Sequence, residues 1–211
     1  MPRKPATAQV DALQEIQHRA FVLFGRFGYE GVSIGDIAKA TKLSKGALYW
    51  HFDGKDALYL DCLKRLHSIF NETIFNPMQA QEDPLDAIVA MFAGLVALVA
   101  DPRVEQGVAG YWLVPSRPEI EDLERAQRAF EKRSTEVIQS VLRRGTEQGR
   151  FDFGGDLEDM SRAIMSIVEA IVLPLRHQSQ DEVRANLGVL ARTLFRAYAG
   201  SDDLKALVER L

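Results

Sequence analysis

Ser44–Phe52 reads SKGALYWHF. This short stretch gathers a hydroxyl, a lysine, a glycine, a tyrosine, a tryptophan and a histidine. Ser44 is a good helix N-cap, because its side-chain oxygen can accept an amide proton that a first helical turn leaves unbonded. From that start, helical spacing turns Ala47 and Leu48 inward. It leaves Ser44, Lys45, Gly46, Tyr49 and Trp50 along an outer edge. Large aromatics are mostly hidden in folded chains. A helix that keeps two of them outside has a surface to offer.

Upstream, Ser33-Ile34-Gly35-Asp36 resembles a capping box with Asp in the place of Glu, and opens another short helix with Ile34, Ile37 and Ala38 inward. Before it, Leu13, Ile16, Ala20, Leu23, Phe24 and Phe27 recur at three- and four-residue steps, one apolar stripe that Gly28 stops. Thr41-Lys42-Leu43 is the turn between the two short helices. The spacing therefore predicts a helix-turn-helix, whose second helix is the one that enters a major groove. Downstream, Gly54-Lys55-Asp56 starts a longer helix through Leu58, Cys62, Leu66, Ile69 and Phe70, ending before Pro77.

Each outward residue has a use against DNA. The first amides of the helix and the hydroxyl of Ser44 suit a phosphate. Lys45 reaches a phosphate or a guanine edge, and both stay open. Gly46 removes a side chain where backbone and bases must come close. Tyr49, Trp50 and His51 can lie along the sugar-phosphate wall and offer flat apolar area to thymine methyls. Lys55 extends the row. With Ser33 and Lys42, these are the candidate DNA-binding residues.

The rest of the chain is also helical. Of its 211 residues 46% are hydrophobic, enough for a real core. Helices are expected near 84–100, 103–113, 117–148, 156–177 and 181–199, with a short tail helix after Ser201. Pro84, Pro102, Pro115, Pro118 and Gly149 stand at or near the joints. No alternating β-branched run bounded by hairpin turns occurs, so the chain reads as all-α. Formal net charge is −4, yet residues 1–56 hold eight Lys/Arg against six Asp/Glu, a net +2, which leaves −6 for the remainder. A mildly basic head precedes an acidic body.

Several classes lose support. The one cysteine, Cys62, rules out an internal disulfide and fits a reducing cytoplasm. No signal-peptide h-region is seen at the N-terminus. The longest apolar run, Ala87–Ala100, is too short to span a bilayer. There is no G-x-S-x-G elbow, P-loop, H-E-x-x-H or cysteine pair, and the four histidines are scattered, so neither an enzyme, a cofactor nor a metal site is expected. Glu169 stands amid Ile167, Val168, Ile171 and Val172, where unpaired burial would be costly. It faces a partner, a ligand or solvent.

AFVLFGRFGYEGVSIGDIAKATKLSKGALYWHFDGKDAL, Ala20–Leu58, resembles the N-terminal DNA-binding domain of the TetR family of bacterial transcriptional regulators. The matching positions run from Ile16 to Leu58 and include Phe24, Gly28, Tyr29, Ser33, Ile37, Ala38, Ser44, Lys45, Gly46, Leu48, Tyr49, His51, Phe52 and Lys55. RRGTEQGRFD, Arg143–Asp152, is similar to a junction common in these regulators. Two positions depart from the pattern. Lys42 stands where the family usually has a turn glycine, which implies strain of about 1–2 kcal/mol if its φ is positive. Trp50 replaces the more usual tyrosine or histidine.

The resemblance implies a helix-turn-helix domain over residues 1–54 and a helical ligand-binding and dimerisation domain over 55–211. It implies a homodimer on a palindromic operator in double-stranded DNA, most simply a repressor, released by a small effector. A transcriptional activator, or an interaction protein of this fold that no longer binds an operator, are the alternatives. The dimer bundle would use Ile164, Ile167, Val168, Ile171 and Val172 from one helix and Val183, Leu187, Leu190, Leu194 and Phe195 from the other. Candidate effector-pocket residues are His67, Phe70, Phe75, Met78, Met91, Phe92, Tyr111, Trp112, Phe130 and Met165, a lining suited to an apolar or flat ligand.

Overall fold

The computed structural model describes residues 6–104, 107–112, 120–152, 155–172, 179–195, 200 and 202. Among them every regular element is helical and there is no β-strand. No helix among the described residues is long and apolar enough to cross a membrane. The helices are α1 (Ala6–Phe27), α2 (Ile34–Thr41), α3 (Lys45–His51), α4 (Lys55–Phe70), α5 (Asn76–Gln79), α6 (Pro84–Val99), α7 (Glu121–Glu147), α8 (Leu157–Val172) and α9 (Gln180–Phe195). A π-helical turn, Asn71–Phe75, joins α4 to α5, and a 3₁₀ turn spans Ala109–Trp112. By contacts the chain divides into two units, Met1–Leu66 with Gln106–Arg128, and His67–Glu105 with Ala129–Leu211.

In the first unit, local chemistry sets most boundaries. Gly28 takes φ +72° and ends α1. Ser33 Oγ accepts the Asp36 amide at 3.2 Å while Asp36 Oδ2 accepts the Ser33 amide at 2.8 Å, so the capping box forms. Ser44 Oγ accepts the Ala47 amide at 3.2 Å and starts α3. α2 packs on α1 and α3 on α2, with Ile37, Ala38 and Leu48 buried and Ile34, Leu43 and Ala47 half-buried. An aromatic core fixes α4: Phe24 and Tyr59 meet edge to face at 4.8 Å, and Tyr59 lies 5.4 Å from Tyr111. The Tyr111 hydroxyl donates to the Phe21 carbonyl at 2.9 Å. Such aromatic pairs contribute about 0.5–1.5 kcal/mol each beyond the area they bury.

Two helical expectations fail here and just beyond. The helix expected at 103–113 is a bend followed by the 3₁₀ turn of Ala109–Trp112, with 105, 106 and 113 outside the described residues. Gly107 takes φ +99°, and a Cβ on Gly110 would lie 2.3 Å from the Phe24 carbonyl oxygen. This segment uses glycine to lay its backbone against α1 rather than to coil. The helix expected to end before Pro77 instead stays helical through Gln79. The π-turn makes this possible, since it re-pairs the Asn76 amide with the Asn71 carbonyl and puts Pro77 at the start of α5, where a missing N–H costs little.

The second unit packs the π-turn, α5, α6, α8 and α9 with the later part of α7. Asp83 caps α6 by accepting the amides of Leu85 and Asp86 at 2.7 and 3.1 Å. A Cβ on Gly94 would lie 2.3 Å from the Thr73 carbonyl oxygen, so α6 and the π-turn touch backbone to backbone. Arg103 bridges Glu72 at 2.8 Å and Asp101 at 2.7 Å, pinning the bend after α6 to that turn. At the end of α7, Gly149 takes φ +69° and the Arg150 amide donates back to the Gly145 carbonyl at 2.8 Å. This turn lays the buried Phe151 ring on Gly145. The segments expected at 117–119, 173–177, 196–199 and after Ser201 fall outside the described residues, apart from Asp202.

Candidate nucleic-acid interface

The turn between α2 and α3 is closed by an L-residue in a left-handed conformation. Lys42 has φ 56° and ψ 28°, and no other described non-glycine residue has positive φ. Its amide and that of Leu43 donate back into the last turn of α2, at 3.3 Å to Lys39 and 3.1 Å to Ala38. Thr41 Oγ1 donates to the Ile37 carbonyl at 2.9 Å. The strain expected at Lys42 is therefore present, and its side chain is exposed.

α3 presents its outer face to solvent. Ser44, Lys45 and Gly46 are exposed, Tyr49 is 56% and Trp50 67% exposed, and Leu48 anchors the inner face. His51 and Lys55 are half-buried. The outward residues then part into two groups. Ser33, Lys45, Tyr49 and Lys55 line one open concavity of about 460 Å³, together with Glu30 and Asp36. Trp50 stands apart from that lining, its ring edge-on to His51 at 4.6 Å and 90°.

Lys45 reaches the concavity by crossing the first turn of α2. Its Cε lies 3.3 Å, and its Nζ 3.5 Å, from where a Cβ on Gly35 would stand. Gly35 thus makes room for a cation. Lys55 is held from the other side, with its ammonium 4.0 Å from the centre of the Tyr29 ring. Desolvation holds the Lys55 pKa below the usual lysine value, with Asp56 partly opposing. Ser33 is less available than its exposure suggests, since its hydroxyl donates to Asp36 Oδ2 at 2.6 Å. The Asp36 carboxyl is held below the ordinary carboxylate range by the Ser33 hydroxyl first and the Ser33 amide next. Tyr29, Glu30, Gly35 and Asp36 were missing from the candidates. Asp36 was read as part of the capping box and Tyr29 as a matching position, but neither was connected with the DNA-facing surface.

The candidate effector residues are divided between the two units. His67 stacks flat on Phe130 at 4.1 Å and 2°, with Phe70 and Phe75 edge-on to the same ring at 6.0 and 5.9 Å. Met78, Met91, Phe92 and Met165 are buried in the same unit. Tyr111 and Trp112 belong to the other unit, where the Tyr111 hydroxyl is already spent on Phe21.

The candidate dimer residues divide as well. Ile164, Val168, Val183 and Leu187 are buried inside their own chain, whereas Ile167, Ile171 and Leu190 are half-buried. The side chains of Val172, Leu194 and Phe195 lie outside the described residues. The outer face of α8 carries Ala163, Ser166 and Ala170, and that of α9 carries Ala185 and Val189, the last 54% exposed. Glu169 is half-buried and Cys62 is buried. Burial pushes the Cys62 thiol up to about 12.

An all-helical chain with a capped α2, a tight turn and an exposed α3 is a helix-turn-helix protein. Residues 16–62 match the family described as bacterial regulatory proteins, tetR family. The chain is 32% identical over 74 residues to the biofilm operon icaADBC negative transcriptional regulator IcaR of Staphylococcus aureus (strain Newman), an alignment covering 35% of this chain and 40% of that protein. The chain thus spans about two fifths of the length of that relative. It is 25% identical over 186 residues to the uncharacterized HTH-type transcriptional regulator YezE of Bacillus subtilis (strain 168), covering 83% of this chain and 94% of YezE. The fold resembles native NalD, the secondary repressor of the MexAB-OprM multidrug efflux pump in Pseudomonas aeruginosa. The TM-score is 0.71 at 19% identity, over 92% of this chain and 99% of NalD.

Proposed function

We propose that the protein is a homodimeric transcriptional repressor that binds a palindromic operator through α3 and releases it when a small molecule binds the helical body. The observation that carries this reading is the outer face of α3. Two aromatics stand exposed there beside a concavity into which Lys45 and Lys55 are gathered. That is the charge and shape of a surface for duplex DNA, where cations meet phosphates and flat or apolar groups meet base edges. In this reading residues 1–54 are the reading head and 55–211 the ligand-binding and dimerisation body. The protein works in the cytoplasm, where the duplex is.

A second copy would pack on α8 and α9 through Ala163, Ser166, Ile167, Ala170 and Ile171 with Ala185 and Val189. Small residues allow close helix approach, and the half-exposed isoleucines and Val189 supply apolar area. The larger aliphatics on the opposite faces of these helices hold the chain's own core. The aromatic group around Phe130, with His67, is the place for an apolar or flat effector. Its effect is a population shift bounded by the ligand's preference for the form that does not bind DNA.

The test is selection of duplexes from a random pool by the purified chain, followed by titration in rising salt. An enriched inverted repeat, with binding that weakens steeply as salt rises, supports the reading. A pool that enriches nothing would refute it, and would favour an interaction protein of this fold.

A further inference from the structure

The residues of α3 that face outward are not equivalent. Lys45 and Tyr49 turn to one side, into the concavity shared with Lys55. Gly46 and Trp50 lie one helical turn apart on the other side. A Cβ added at Gly46 would meet only Ser44 Oγ, at 3.8 Å, and its φ is ordinary. Gly46 therefore has neither a packing nor a conformational reason to be glycine, although glycine is the weakest helix former after proline. Gly25, Gly94 and Gly110 all sit where a Cβ would strike backbone within 2.4 Å. The space above Gly46 is open on the exposed face of α3.

Trp50 borders that space. Its indole is 67% exposed, the largest value among the exposed large hydrophobics of the described residues. It does not fold over Gly46, since no atom of it comes within 4 Å of the Cβ position, and it is propped against His51 at 90°. Glycine backbone forms a floor and a flat apolar ring forms a wall. The cations lie on the Tyr49 side, so the phosphate strand belongs there and the Trp50 side is turned toward the floor of the groove. In a major groove the one apolar group on the base edges is the 5-methyl of thymine.

We propose that Gly46 and Trp50 form a notch that reads a thymine 5-methyl in each operator half-site, while Lys45, Tyr49 and Lys55 hold the neighbouring backbone without regard to sequence. This rests on the DNA-binding reading above and adds the base it selects and the residue that selects it. Trp50 is then a specificity determinant and Lys45 is not, although a lysine near the start of a recognition helix is an obvious candidate for guanine.

The experiment uses a duplex enriched by the full-length chain and a set of copies in which single thymines are replaced by deoxyuridine, removing only the methyl. Binding is followed by fluorescence anisotropy, with thermal melts of each variant. At one thymine per half-site the parent should lose about three- to tenfold on methyl removal, the worth of about one buried methyl group. Trp50→Ala should bind the thymine and uracil duplexes alike, near the parent's affinity for the uracil form, with an unchanged melt. Lys45→Ala should weaken both duplexes by one factor and flatten the salt dependence, keeping the parent's thymine preference. Gly46→Ala should melt no lower than the parent yet lose the preference. If Trp50→Ala keeps the parent's thymine-to-uracil ratio at every position, the notch reads no methyl and the proposal is overturned. Equal weakening of both duplexes by Trp50→Ala would overturn it too, making Trp50 a sugar-phosphate contact. If no duplex is enriched at all, the regulator reading itself fails, which is a separate result.

Discussion

The Lys55 ammonium rests 4.0 Å from the centre of the Tyr29 ring, and the hydroxyl of that same ring donates to Asp56. One buried side chain thus ties the turn after α1 to the first turn of α4 and aims a cation into the α3 concavity. The ring and the hydroxyl are separable by mutation. Tyr29→Phe keeps the ring, so operator affinity should stay within about twofold while unfolding free energy in urea falls by about 1 kcal/mol. Tyr29→Leu removes the platform and should weaken operator binding by roughly three- to tenfold, the worth of about 0.7–1.4 kcal/mol. Equal affinity for Tyr29→Leu and the parent would show that Lys55 needs no such support.

Lys42 holds φ 56° where an L-residue is strained. Lys42→Gly should therefore raise the unfolding free energy by roughly 1 kcal/mol. Lys42→Ala, which keeps the strain, should leave it nearly unchanged. The contrast is read from two urea titrations, and a less stable glycine variant would mean that the lysine stem contributes packing that outweighs its strain.

The turn at the end of α7 depends on the absence of a side chain at 145. A Cβ there would stand 2.1 Å from Cδ2 of Phe151. Gly145→Ala should cost about 1–3 kcal/mol by overpacking. In a Phe151→Ala background the same change should cost nothing, or stabilise by up to about 1 kcal/mol through helix propensity. Additive effects in the double-mutant cycle would break the assigned contact.

Cys62 keeps its proton in the folded chain. Its pKa is pushed up to about 12 by burial first and by Asp61 next, from an ordinary 9.0. A thiol pKa raised on folding contributes stability that is fully present below about pH 9 and declines as pH rises toward about 12. At pH 8 a thiol reagent such as DTNB should therefore react with the native chain only as fast as the chain opens. In denaturant it should find one thiol per chain at once. Prompt reaction of the native protein would place Cys62 nearer the surface.

Much of the first unit was legible because its signals are local. Ser33 with Asp36, Ser44 with Ala47, and Gly28 each act within three or four residues, and each does in the structure what the pattern implied. Failures came where a distant backbone decides. A helix was expected near 103–113, whereas Gly107 and Gly110 let the chain lie against α1 there. Pro77 read as a stop, whereas the π-turn before it removes the conflict. On α8 and α9 the apolar pattern was found but its direction was not. Periodicity marks the face that is buried without saying whether its own chain or a second copy covers it, and Ile164, Val168, Val183 and Leu187 turned inward. In the interface the outward set on α3 was readable from the helix period. The division between Lys45 and Trp50 was not, because it depends on Gly35 receiving the lysine from across the turn.

The measurement that bears most directly on the central claim is hydroxyl-radical footprinting of the chain on an enriched duplex. Two protected patches on one face, centred about 10–10.5 base pairs or a multiple apart, are expected from paired α3 helices. They should appear together at a stoichiometry of two chains or a multiple of two. A single patch protected by one chain, or protection without regard to sequence, would contradict the account.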